Sequence, residues 1–509
     1  MLSKLYSYGL TGLEAYPVTI EVDVAQGLPA TTIVGLPDNA IRESRERVRA
    51  AIRNSGYQFS PQKITVNLAP ADIKKEGPSF DLAMALGILS ATQQIEIHNL
   101  GQHIILGELS LDGNIQPVNG ILSIAMAVKQ TSFRGLIVPH QNAREAAIVH
   151  DIPIYPIKNL KQVVHFLQNP DSLAPQPRLP YSAFTDTHFY DVDFSEVKGQ
   201  LSIKRGLEIA AAGGHNVLLI GPPGSGKTML AKRLPTILPD MSLQECLETT
   251  QIHSITGLNG TNGLLTHRPF RAPHHTSSNI ALTGGGSLPK PGEISLAHHG
   301  VLFLDELPEF NRNALETLRQ PLEDKFINIS RALKSIQFPA NFLLVGAMNS
   351  CLCGHLGNPR VPCRCSSTQI QRYRSRISGP LLDRIDIHLD VPVVNFPELN
   401  TSTPAETSAQ IKKRVNRARA IQLERFQGLE TTANAQMSHK QVRKFCMLGK
   451  EENDLLKTAM TELNFSARAY DKILKVSRTI ADLAVTDEIK AEHLAETIQY
   501  RSLDRDFFA

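Results

Sequence analysis

At 509 residues, with 42% apolar and 20% charged side chains, the chain exceeds the usual size of one hydrophobic core and reads as an ordinary soluble protein of two or three domains. A formal net charge of only +4 excludes a global basic field, so any nucleic-acid contact must come from local clusters. Trp is absent and Tyr numbers 10, which argues against a large aromatic platform for stacking single-stranded bases. The N-terminus, Met1-Leu-Ser-Lys-Leu-Tyr6, lacks a signal peptide's apolar core and no run reaches membrane-spanning length; the expected location is the cytoplasm, with no membrane partner.

Residues 1–168 alternate strand-like and helix-like segments. Val18 to Val24 alternates with period two, Asp38 to Arg53 reads as a capped helix following Pro37, and Leu109 to Val118 reads as a hairpin turning on Asp112-Gly113. This predicts a compact α/β domain without a phosphate loop. Residues 169–192 lose periodicity and collect Pro170, Pro175, Pro177 and Pro180, the composition of a semi-stiff linker.

Residues 193–396 hold the most informative segment. Gly221-Pro-Pro-Gly-Ser-Gly-Lys-Thr228 fits G-x-x-x-x-G-K-[ST] and follows the apolar run Asn216–Ile220, which is the strand-loop-helix context of a phosphate-binding P-loop. Gly221, Gly224 and Gly226 let the backbone around Ser225 turn its N–H groups inward, and the following helix N-terminus favours anions. Lys227 is placed to neutralise phosphate charge and Thr228 to hold Mg²⁺, so ATP and Mg²⁺ are the expected cofactors. Val301 to Leu304 is an apolar strand ending in Asp305-Glu306, which predicts a second Mg²⁺ ligand and a residue that orients or deprotonates the attacking water. A further strand, Phe342 to Ala347, leads to Asn349, either a water- or γ-phosphate-contacting amide or a simple turn residue.

Four of the six cysteines, Cys351, Cys353, Cys363 and Cys365, follow at once. Their pairing suits a structural zinc knuckle, with His355 as a substitute ligand, or a loop of free thiols. Residues 397–509 turn helical. Ile411, Val415 and Ile421 are expected on one face with Lys412, Lys413, Arg414, Arg417 and Arg419 around them, and a second helical segment, Phe465 to Leu483, carries Arg468, Lys472, Lys475 and Arg478. The expected fold class is therefore multidomain α/β with a small helical lid.

Across nearly the whole length the chain resembles the ComM (YifB) group of magnesium-chelatase-like AAA+ ATPases. The resemblance is carried by Ile33–Asp38, Gly77–Leu82, Arg268-Pro-Phe-Arg-Ala-Pro-His-His275, Gly292–His298 and Ser378–Asp386. It implies a P-loop AAA+ domain with a parallel sheet, a hexameric homo-oligomeric ring with each ATP between neighbours, and a DNA helicase promoting branch migration in natural transformation. Single-stranded or branched DNA and recombination proteins are the implied partners. Arg384 matches the family's arginine finger; the plainer reading is an ion pair with Asp383 or Asp386. Arg468 matches the second sensor arginine, as against a solvated helix residue, and Val197 to Gln200 lies where the adenine pocket forms. A hairpin over Phe326–Phe338 points into the ring pore in this clade, which makes Arg331 and Lys334 DNA-binding candidates or else plain solvated charges; Lys290, in a similarly placed insertion, is a weaker candidate.

The N-terminal domain resembles the proteolytic domain of Lon-type proteases. Ser79 aligns with the nucleophile segment, but Leu122 stands where that family carries its catalytic lysine, so the resemblance implies a non-proteolytic scaffold. A chelatase-type motor that drives metal insertion through a partner is the alternative function, and an ATP-dependent protease is a third.

Overall fold

The structure is a computed structural model. It describes residues 2–96, 100–178, 190–259, 263–286, 289–330, 335–358, 361–393, 405–463 and 465–501. The chain forms two compact units: Met1–Thr187 together with Leu243–Thr266, and His188–Ser242 together with His267–Ala509. The stretch Leu243–Thr266 is thus contiguous in sequence with the P-loop segment but folds with the first unit.

In the first unit the strands are β1 (Leu2–Thr11), β2 (Glu14–Ala25), β3 (Ala30–Val34), β4 (Lys63–Ala69), β5 (His103–Ile105), a small hairpin β6 (Glu108–Leu109) and β7 (Ile115–Gln116), β8 (Gly135–Pro139) and β9 (Ile154–Ile157). Seven of them form a mixed sheet in the order β3-β4-β2-β1-β5-β8-β9. The period-two pattern of β2 buries Val18, Ile20 and Val22 completely, against the almost wholly apolar helix Asp81–Ala91. Gly87 permits that approach, since a Cβ there would lie 2.6 Å from Val22 Cγ2. Asp38 caps the helix Asn39–Asn54 by accepting from the Ile41 N–H at 2.8 Å. The helix Leu243–Ile255 joins this unit through Ser254, whose hydroxyl donates to the buried Glu145 carboxylate at 2.5 Å.

In the second unit, β10 (Val217–Ile220), β11 (Phe270–Arg271), β14 (Val301–Leu304), β17 (Leu343–Met348) and β18 (Ile387–Asp390) build a five-stranded parallel sheet in the order β11-β14-β17-β10-β18. Two antiparallel pairs are added by β12 (Gly284–Gly285) with β13 (Lys290–Pro291), and by β15 (Phe326–Ser330) with β16 (Ser335–Pro339). Every residue of β10, β14 and β17 is buried, as expected of strands covered on both faces. Helices Ser408–Arg425 and Ala467–Leu483 share this core through Ile411, Val415, Ala418, Val476 and Ile480.

The lid differs in detail from the sequence expectation. The buried stripe of helix Ser408–Arg425 runs through Ile411, Val415, Ala418 and Gln422, at intervals of three and four residues, and leaves Ile421 only half-buried. Gln422 tolerates burial because its amide donates to the Ala212 carbonyl at 3.2 Å and accepts from the Asn434 N–H at 3.1 Å. Many lid cations are engaged within the chain: Lys412 pairs with Asp240, Arg414 with Glu208 and Glu406, Lys472 with Asp386, and Arg478 with Asp482.

Candidate nucleotide site

The parallel sheet gathers three sequence-distant segments at the carboxyl ends of adjacent strands, where open α/β sheets place their ligands. The loop after β10 is the P-loop, β14 delivers Asp305 and Glu306, and β17 delivers Asn349. Gly224 and Gly226 sit at φ +76° and +92°, and nothing lies within 4 Å of a Cβ at either, so the backbone there is open on its ligand side. The helix Lys227–Arg233 begins at the loop's end.

Lys227 is buried. Its ammonium donates to the Gly221 and Pro222 carbonyls at 2.8 and 2.9 Å and to the Asn349 side-chain oxygen at 3.2 Å. Burial pushes its pKa below the usual lysine value, and the charge of Asp305 opposes that push. The Thr228 hydroxyl donates to Asp305 Oδ2 at 2.7 Å. Two hard oxygen donors in contact at the mouth of an anion-binding loop fit a magnesium ion.

Glu306 holds φ 53° and ψ 46°, a left-handed conformation uncommon for a non-glycine residue and frequent at functional sites. Its N–H donates to Asp305 Oδ1 at 3.0 Å, and its exposed carboxylate lies 3.3 Å from His275 Nδ1. His275 stacks on His274 with ring centroids 4.1 Å apart. Sequence reasoning singled out His274 and His275 only as part of a family signature, because no spacing rule links them to the strand that ends in Glu306. Gln200, from the segment matched to the adenine pocket, donates its side-chain amide to the Ser225 carbonyl of the P-loop at 2.9 Å.

Arg384 and Arg468 pair with carboxylates outside this group. Arg384 pairs with Glu323, not with Asp383 or Asp386, and also donates to the Pro380 carbonyl at 2.5 Å. Asp386 is held by Lys472 at 2.9 Å and His215 at 3.4 Å; in spite of its burial the Lys472 ammonium and the hydrogen bond to His215 keep it well below the usual carboxylate range. Arg468 is exposed and lies 3.3 Å from Asp383. The expected pore hairpin is the β15–β16 pair; its tip, with Arg331 and Lys334, lies outside the described residues. Lys290 is exposed on β13.

The four cysteine sulfurs lie within 4.8 Å of one another, and His355 is not part of the group. Sγ separations are 3.4 Å for Cys351–Cys353 and 3.6 Å for both Cys351–Cys363 and Cys353–Cys363. A tetrahedral zinc with Zn–S of about 2.3 Å sets its sulfurs about 3.8 Å apart, so the donor set and spacing fit that metal. Backbone N–H groups of Arg364 and His355 pull the Cys353 thiol down to about 6, while the neighbouring sulfurs push the Cys363 thiol up to about 12 and raise that of Cys365.

In the first unit Leu122 is fully buried, and its N–H donates to Glu145 at 3.2 Å. The Ser79 carbonyl accepts from the Gly107 N–H at 2.9 Å. Among the described residues no helix is long and apolar enough to cross a membrane.

Three family models match in order: subunit ChlI of Mg-chelatase over residues 20–142, magnesium chelatase subunit ChlI over 193–399, and its C-terminal region over 405–501. The competence protein ComM of Haemophilus influenzae is 45% identical over 99% of this chain and 98% of its own length. The uncharacterized protein YifB of Escherichia coli is 44% identical over 99% and 98%. Lon protease 2 of Bacillus subtilis is 29% identical over 33% of each chain, a likeness that falls to the N-terminal region.

Proposed function

Since the chain belongs to the ComM/YifB family of magnesium-chelatase-like AAA+ proteins, we propose that it is a ring-forming, ATP-driven DNA translocase or helicase that promotes branch migration during recombination of incoming DNA. The observation that carries this reading is the convergence of Lys227, Thr228, Asp305, Glu306 and Asn349 at adjacent strand ends, joined to full-length similarity with a competence protein.

In this reading the P-loop amides from Gly221 to Thr228 cradle the phosphates. Lys227 neutralises charge on the transferred phosphoryl group, and Asn349 fixes the ammonium while contacting the γ-phosphate or the water. Thr228 and Asp305 are the residues that hold Mg²⁺, which supplies electrostatic stabilisation of the phosphate oxygens. Glu306 orients and deprotonates the attacking water, and His275 aims its carboxylate. Arg384 acts on the nucleotide of the adjoining subunit in a hexameric homo-oligomer, and Arg468 senses the chain's own γ-phosphate. Arg331, Lys334 and Lys290 grip DNA phosphates, and the four cysteines hold a zinc ion. The Lon-like domain is a scaffold: with Leu122 at the lysine position, Ser79 has no amine to take its proton.

The test is ATP hydrolysis without DNA and with single-stranded, duplex and branched DNA at two salt concentrations, followed by strand-displacement assays on forks. Phosphate-dominated binding predicts stimulation that falls steeply with salt. Hydrolysis without unwinding or migration of any branched substrate would sink the proposal. The match of all three family models to a magnesium-chelatase subunit favours a chelatase-type motor as the second reading. Stimulation by a porphyrin rather than by DNA would select it.

A further inference from the structure

The cysteine cluster is built into the nucleotide site. Asn349, whose side-chain oxygen accepts from Lys227, is separated from Cys351 by Ser350 alone. Cys351 is completely buried, and its carbonyl accepts from the Gly354 N–H at 3.0 Å while its sulfur accepts from the Leu356 N–H at 3.3 Å. The Ser350 hydroxyl closes the same turn on the Leu356 carbonyl at 2.7 Å. At the apex Gly354 adopts φ +79° directly against the P-loop: a Cβ there would lie 2.6 Å from Pro223 Cδ and 3.8 Å from Asn349 Cγ.

The other arm of the cluster returns to the same amide. Cys363 and Cys365 lead into Ser366, which caps the helix Ser367–Arg374 through a reciprocal bond with Gln369. That helix buries Tyr373, whose hydroxyl lies beside the Asn349 backbone; burial raises its pKa and that backbone opposes the rise. The sulfurs therefore tie together two segments that both end on Asn349, and one of them presses on the P-loop.

We propose that the four-cysteine metal site is a positioning element of the nucleotide site: a bound zinc ion holds the Gly354 turn against Pro223 and sets the Asn349 amide against Lys227, so that metal loss slows ATP turnover. The inference rests on the ATPase reading above and gives its active site a metal-dependent brace. Asn349 is the group that meets nucleotide; the cysteines are positioning residues. A knuckle that only stabilised a surface loop would need neither a glycine packed on Pro223 nor a second arm returning to Asn349.

The experiment uses the full-length protein. Zinc is quantified, removed with a zinc-selective chelator in excess Mg²⁺, and restored with zinc alone, while kcat, the KM for ATP, the release rate of a fluorescent ATP analogue and thermal unfolding are followed. The expected result is one zinc per chain, a fall in kcat of about tenfold or more on stripping with KM changed by less than about twofold, and recovery on re-addition, the scale expected when a reacting group is displaced by about an ångström. Gly354→Ala keeps all four sulfurs but drives a methyl into Pro223; it should retain zinc and lose kcat to a similar extent, with an unfolding midpoint lowered only by the strain of an alanine at a left-handed φ. Cys365→Ser should lose both zinc and turnover. Should Gly354→Ala fail to fold, the stripped wild-type protein decides the matter. A stripped protein with unchanged kcat and unchanged analogue release, or a protein that takes up no zinc, overturns the proposal. Absence of hydrolysis by the zinc-loaded protein would instead remove the ATPase reading; analogue release then decides, and a faster release on stripping would still support the brace.

Discussion

The Thr228 hydroxyl donates to the Asp305 carboxylate across 2.7 Å, joining the end of the P-loop to the end of β14. In the proposed function these two oxygens are the ligands that would hold one Mg²⁺. Thr228→Ala and Asp305→Asn should each lower kcat by about a hundredfold, the scale of one electrostatic stabiliser, and raise the Mg²⁺ concentration needed for half-maximal rate. Magnesium titrations of steady-state hydrolysis check this; an unchanged Mg²⁺ dependence removes the pair from metal binding.

Glu306 and His275 form the next unit of prediction. Glu306→Gln keeps the shape of the side chain but removes the base, so it should bind ATP and leave any oligomer intact while turnover disappears. His275→Ala leaves the base but not the ring 3.3 Å from it; kcat should fall by about tenfold, with ATP affinity retained. Single-turnover hydrolysis with labelled ATP separates the two, and wild-type turnover in Glu306→Gln would end its assignment.

Arg384 is engaged by Glu323 within its own chain. If it serves the adjoining subunit, Arg384→Ala should abolish hydrolysis without abolishing nucleotide binding. Mixing it with Lys227→Ala subunits should restore part of the activity, because interfaces then form in which an intact P-loop meets an intact arginine. No rescue at any mixing ratio would leave Arg384 as an intrachain ion-pair residue.

In the first unit, Asp81 is buried beside Arg47, whose Nε lies 2.9 Å from its Oδ2, and desolvation outweighs that pairing to raise its pKa to about 6. A carboxyl with a folded pKa above its unfolded value of about 3.9 binds extra protons in the folded state, so its contribution is complete below that value and is lost as pH rises through about 6. Relative to Asp81→Asn, the wild-type protein should lose stability on the order of 2 kcal/mol between pH 4 and pH 7. Denaturant unfolding of both proteins across that range checks the sign; parallel curves would show that Asp81 titrates normally.

The candidate nucleotide site was legible in the sequence because its chemistry is local. A P-loop needs its glycines, lysine and threonine at fixed offsets on a strand-loop-helix turn, and an apolar strand ending in two acids needs nothing from elsewhere in the chain. The period-two burial of β2 and the Asp38 cap were legible for the same reason: strand alternation and capping are set within a few residues. What pairs across the chain was not. That Arg384 meets Glu323, that His275 meets Glu306, that Gln422 rather than Ile421 is buried, and that Leu243–Thr266 folds with the N-terminal unit depend on how separate segments pack. Likewise the cysteine spacing suggested a metal, but only the close approach of Gly354 to Pro223 puts that cluster against the P-loop, because a van der Waals contact between remote segments leaves no periodicity in the chain that makes it.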